Sequence, residues 1–171
     1  KELKKVDAED PRHAVLVDSL MYLHDKRMEL YPSTKRNPNN RCVVLGRKAT
    51  DFYKYNKDAH QEAYIMFKES LDCLGAEASA TTLYQYYTAS FYTMKRSLKG
   101  DTLAQSNMRA QMLTDYLNLV DYIEAGVARA TEAGKERDLK RYEKAKKNIE
   151  TVFVAIADCD DMVPVLATAV A

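Results

Sequence analysis

The chain has 171 residues, with 26 Lys and Arg against 25 Asp and Glu, a net charge of +1, and only five Gly and four Pro. Such a length buries one core without disulfides or metal, and the balanced charge excludes a protein built to neutralise a phosphate backbone. The scarcity of Gly and Pro excludes a turn-rich β-sandwich, a Gly-loop nucleotide enzyme and a disordered linker.

Asp10-Pro11 opens a first helix over about 11–31, since Asp caps and Pro fits the first helical position. Leu16, Leu20, Leu23 and Leu30 recur in it at helical spacing, and the loop from Pro32 to Asn40 ends it. A second helix, about 41–55, carries Val44, Leu45, Ala49, Phe52 and Tyr53. Asp58-x-x-Gln61 has the form of a capping box for a third, which holds Ala63, Phe67, Ser70, Leu71 and Leu74 and closes at Gly75. The fourth helix, about 79–99, is apolar on most faces and ends at Gly100. Thr102-x-x-Gln105 marks a fifth that continues through Gly126 to about Ala133. Leu139, Tyr142, Ile149, Phe153 and Ile156 stripe a sixth, and a short last helix covers about Asp161–Ala169.

No stretch alternates like a strand, so the expected fold is all-α, in one domain over residues 1–171. Short connections make neighbours antiparallel, with helix pairs at about 41–75 and 79–133 and C-terminal helices at about 136–169. Hairpins that cannot bury a face alone stack as a solenoid. Inside those helices only Gly46 and Gly126 interrupt the pattern, and both mark expected close helix contacts.

The longest uncharged run, Ala78–Met94, holds too many Thr, Ser and Tyr residues to sit in lipid, so no transmembrane helix is expected. Lys1 stands without an initiator Met or a signal peptide, which reads as a piece of a longer, processed precursor. Cys42 and Cys73 lie symmetrically about the Lys57–Asp58 turn, and an antiparallel hairpin brings them to one level. That position admits a disulfide or two free thiols packed as small hydrophobes, and spacing alone favours the thiols, because level does not fix facing.

The hairpin from Val43 to Gly75 resembles a tetratricopeptide repeat. Ala63, Phe67 and Ser70 stand where that motif has Ala, an aromatic and Ala, and Gly75 replaces its closing Pro. Tyr84, Tyr87, Thr88, Phe91 and Tyr92 match the next first helix, with Tyr87 in place of Leu and Thr88 in place of Gly. The order of segments is also similar to a group of bacterial cell-envelope tetratricopeptide proteins. Leu20–Arg27, Leu45–Ala49, Gln61–Tyr64, Tyr142 with Ala145, and Ala157–Cys159 carry that likeness.

The resemblance implies a short right-handed α-solenoid of six to seven helices, part of an exported periplasmic or envelope protein. It further implies a non-catalytic scaffold that binds a protein or peptide on a groove lined by the first helix of each pair. Carried over by position, the groove residues are Arg47, Thr50, Tyr53 and Lys54, then Gln85, Ala89, Tyr92 and Thr93. Two other readings stand beside it. One is a structural spacer whose groove is filled by its own N-terminal helix or by the Met162–Ala171 tail. The other is a bundle holding a small apolar ligand among Met108, Met112 and the aromatics of helix four.

Chemistry-bearing motifs point nowhere else. His13 and His24 are about 16 Å apart along one helix and cannot share a metal. His60 opens a helix and is expected to face solvent, and Asp158 to Asp161 lack the Gly and ligand spacing of a calcium loop. Nucleophile and phosphate-loop motifs do not occur, so neither catalysis nor a cofactor is expected. The basic run Lys135–Lys147 opposes Leu139, Tyr142 and Ile149 and reads as a solvated face.

Overall fold

A computed structural model of the protein describes residues 3, 6, 7, 9–31, 33–35, 37–56 and 58–158. Helix α1 (Pro11–Leu30) starts as its local chemistry requires: the Asp10 carboxylate accepts the Arg12 amide at 2.8 Å, and Pro11 needs no amide partner in the first turn. Helix α2 spans Asn40–Tyr55 and α3 spans His60–Leu74. The Asp58–Gln61 box does not form, because Ala59 holds the capping position and has no side chain to cap with. Asp58 instead stands 3.9 Å from the Arg96 guanidinium. Helix α3 ends where Gly75 turns to φ +48°, a conformation that L side chains rarely adopt.

Helix α4 (Ala80–Tyr92) is capped by the Ser79 hydroxyl, which accepts the Thr82 amide at 3.2 Å. It is shorter than its expected reach to Lys99. From Thr93 to Ser97 the backbone widens into a π turn, with the Leu98 amide bonded to the Thr93 carbonyl at 2.9 Å. The Gln105 side chain donates to the Met94 carbonyl within that turn at 2.9 Å. Gln105 is thereby lost to the expected Thr102 box, and Asp101 caps α5 (Thr102–Glu132) instead, accepting the Ala104 amide at 2.9 Å. Helix α6 covers Glu136–Val154. The short helix expected over Asp161–Ala169 lies outside the described residues.

Among the described residues the backbone forms six α-helices and no strand, apart from one isolated bridge between Thr34 and Asn37. The protein is all-α, and no helix among those residues is long and apolar enough to cross a membrane. Each helix packs on the next in sequence, and α4 also meets α2 and α6. One continuous core results, in which Phe67, Leu83, Tyr87, Met112, Ile123 and Ile149 are fully buried. The Tyr87 hydroxyl donates to the Met112 carbonyl at 3.1 Å and the Tyr86 hydroxyl to Asp115 at 2.5 Å, tying α4 to α5.

The two glycines inside helices mark close contacts. A Cβ built on Gly46 would meet the Ser70 hydroxyl oxygen at 2.7 Å and that of Thr82 at 3.2 Å, so α2 approaches α3 and α4 through that gap. At Gly126 a Cβ would lie 2.4 Å from the Tyr142 ring. That ring reaches across α5 from α6, and its hydroxyl donates to the Ala78 carbonyl at 2.9 Å. Cys42 and Cys73 are joined by a disulfide, with Cα atoms 6.1 Å apart. The preference for free thiols is therefore corrected: the two side chains face each other as well as sharing a level.

Candidate functional site

The C-terminal ends of α2 and α4 and the start of α3 bring Tyr53, His60 and Tyr92 together. Tyr92 stacks on the His60 ring with centroids 5.1 Å apart, while Tyr53 meets that ring edge-on at 5.7 Å. Tyr53 also sets its edge against Phe67 at 6.2 Å, and so roots the cluster in the core. Phe91 abuts Tyr92 at 5.4 Å, and the Arg96 guanidinium lies 4.9 Å from the Tyr92 centroid. Lys95 pairs with the Phe91 ring at 5.8 Å and Lys54 with that of Tyr55 at 4.9 Å. Cations thus lie close to the half-buried rings at this end of the fold.

Burial, followed by the neighbouring hydroxyls of Tyr92 and Tyr84, pushes the Tyr53 phenol up to about 12. Its hydroxyl therefore remains a neutral donor at physiological pH. His60 is only 5 % exposed, against the expectation that it faces solvent. Neither of its ring nitrogens has a hydrogen-bond partner among the described residues, and the same holds for the buried Gln85 Oε1 and Thr93 Oγ1. The signal for His60 was present in the sequence. His60, Ala63, Phe67, Ser70 and Leu74 follow the 3-4-3-4 spacing of one buried face, and His60 opens it.

Burial holds the His60 pKa below its ordinary value; Arg96 adds to the shift, while Asp58 and Glu62 oppose it. The folded protein therefore favours neutral His60, whereas the unfolded chain protonates near pH 6.5. Between those two pKa values the unfolded state binds more protons, so stability present above about pH 6.5 is lost as pH falls. We expect the urea midpoint to drop more for wild type than for His60→Phe between about pH 7.5 and pH 5.5. Equal losses would remove His60 from this account.

The predicted groove residues separate into two groups. Tyr53 and Tyr92 are half-buried in the cluster, Gln85 is half-buried two turns before Tyr92 on α4, and Arg47 and Lys54 stand exposed, two turns apart on α2. Ala89 is fully buried and Thr93 is 1 % exposed, so neither offers surface to a partner. Helix α4 has neighbours on α2, α3, α5 and α6, which leaves it less open face than the carried-over pattern assumes. The Thr50 hydroxyl is occupied within its own helix, donating to the Gly46 carbonyl at 2.9 Å.

Elsewhere, His24 Nε2 lies 2.9 Å from Asp51 and His13 packs edge-on to Tyr55. Met112 is buried in the main core, with Met108 packed against it half-buried. On the basic face of α6, Lys140 pairs with Glu136 at 2.6 Å and Arg141 with Asp138 at 3.0 Å. A cleft of about 570 Å³ opens between the start of α4, the end of α5 and the start of α6, bordered by Ser79, Arg129, Lys135 and Tyr142. Compared with protein-family models, with curated proteins and with solved structures, the chain matches none of them.

Proposed function

We propose that this chain is a non-catalytic, tetratricopeptide-like helical scaffold that binds a protein or peptide over the surface shared by α2 and α4. The observation that carries the proposal is the Tyr53–His60–Tyr92 cluster. Rigid half-buried rings give large contact area at small entropic cost and leave hydroxyls for hydrogen bonding, as binding hot spots do. Exposed Arg47 and Lys54 supply polar contacts at its rim. The order of packing supports the repeat reading: α2 with α3 and α4 with α5 form successive pairs, and α4 lies against both α2 and α6. The Cys42–Cys73 bond supports an oxidising compartment, in keeping with an exported protein of the cell envelope.

Random peptides displayed on phage and selected on wild type provide the test. Peptides recovered this way should bind Tyr53→Ala/Tyr92→Ala at least about tenfold more weakly, a loss of about 1.4 kcal/mol or more. Equal affinity for the folded double variant would place the binding surface elsewhere.

A further inference from the structure

Helix α1 is apolar on two sides. Its inner side meets α2 through buried Val17 and through the His24–Asp51 contact. Its outer side carries Val15, Tyr22, Leu23 and Leu30 at 58 % to 66 % exposure, and Tyr31 follows at 67 %. At about 100° per residue the four helical positions form one stripe, roughly 100° wide. The other large apolar side chains found exposed, Ile65, Leu103 and Val154, stand singly on α3, α5 and α6. At 58 % to 67 % exposure, the five side chains around α1 offer on the order of 500 Å² of surface. A standard interface buries about 800 Å² per partner, so the stripe would form most of one.

We propose that this stripe pairs with the same stripe of a second copy, the two α1 helices lying parallel. One apolar face per molecule closes a two-fold dimer, whereas a head-to-tail chain needs two different complementary faces. Charge sets the direction. By helical position, Asp18, Asp25 and Glu29 border the Val15–Tyr22 edge, and Arg27 borders the Leu23–Leu30 edge. A two-fold axis along the helices sets unlike edges together, so Arg27 comes beside the partner's Glu29 and beside the partner's Asp25, whose carboxylate also takes Lys48 of its own chain at 2.5 Å. An antiparallel pair would set the acidic edge against itself. Lys26, within the stripe, is already accommodated: its ammonium lies 5.7 Å from the Tyr22 ring centroid and 2.6 Å from Glu29.

Sedimentation equilibrium of the full chain, from micromolar to submillimolar concentration, should give twice the monomer mass. Tyr22→Glu/Leu23→Glu should raise the dissociation midpoint at least about tenfold while leaving the helical circular dichroism unchanged, since both side chains are exposed. Orientation is read by Ser19→Cys in a Cys159→Ser background, because position 19 lies near the middle of the stripe. In the parallel pair the two introduced thiols meet across the axis and link the copies covalently on oxidation. A dimer that fails to cross-link in this way overturns the arrangement. A wild-type monomer throughout the range overturns the dimer. A monomer that floats with phosphatidylglycerol vesicles would assign the stripe to a bilayer instead.

Discussion

Gly126→Ala destabilises the protein by about 1–2 kcal/mol, even though the same change in an open helix stabilises by about 1 kcal/mol. The added methyl would sit 2.4 Å from the Tyr142 ring, so the ring must leave its place over α5. Its hydroxyl then loses the Ala78 carbonyl, and α6 loses a bond to the turn that leads into α4. The sharper form of the experiment repeats the change in a Tyr142→Ala background. There the methyl meets no ring, the intrinsic helix preference is unopposed, and Gly126→Ala should stabilise. This reversal of sign in urea unfolding is what a direct steric coupling requires. A destabilisation of equal size in both backgrounds would mean that Gly126 is kept for some reason other than Tyr142.

Opening the Cys42–Cys73 bond costs about 3–4 kcal/mol, the loop-closure entropy for a separation of 31 residues. For a chain of this size that is a fall of about 10 °C in Tm. Cys42→Ala/Cys73→Ala should show the same loss and no further response to dithiothreitol, which separates the bond from other effects of the reductant. A wild-type Tm identical with and without reductant would contradict the bond's role. The loss should be felt first in the α2–α3 hairpin, and through Gly46 at the α2–α4 contact that supports the candidate groove.

Much of this architecture is written locally, and local signals are what a sequence carries best. Asp10-Pro11 starts α1 with groups that lie side by side in the chain, and Gly75, Gly100 and Gly134 all have positive φ at or just beyond helix ends. Gly46 and Gly126 were legible as close contacts because a glycine weakens a helix interior, but their partners Ser70, Thr82 and Tyr142 lie far along the chain and could not be named. The misreadings involve partners distant in sequence. His60 looked solvent-facing because it opens a helix, yet Tyr92, 32 positions on, covers its ring. Gln105 looked like a cap until Met94 offered its carbonyl across the π turn. Cys42 and Cys73 could be set level by counting, whereas facing depends on how α2 and α3 rotate about their axes.

The candidate groove shows the same division. The pattern carried over from the repeat resemblance set Gln85, Ala89, Tyr92 and Thr93 on one side of α4, but not how much of that side its neighbours cover. With α2 and α6 both against α4, Ala89 and Thr93 are buried while Tyr92 keeps an open edge. The surface left for a partner is thus smaller and more aromatic than the repeat pattern implies, and His60 lies beneath it.

The most direct measurement is amide chemical-shift mapping of the wild-type protein titrated with a peptide selected on it. Binding over the α2–α4 surface predicts that the largest shifts fall at Arg47, Tyr53, Lys54, His60, Gln85 and Tyr92. Shifts confined to the α1 stripe or to the cleft between α4, α5 and α6, with Tyr53 and Tyr92 unmoved, would contradict it.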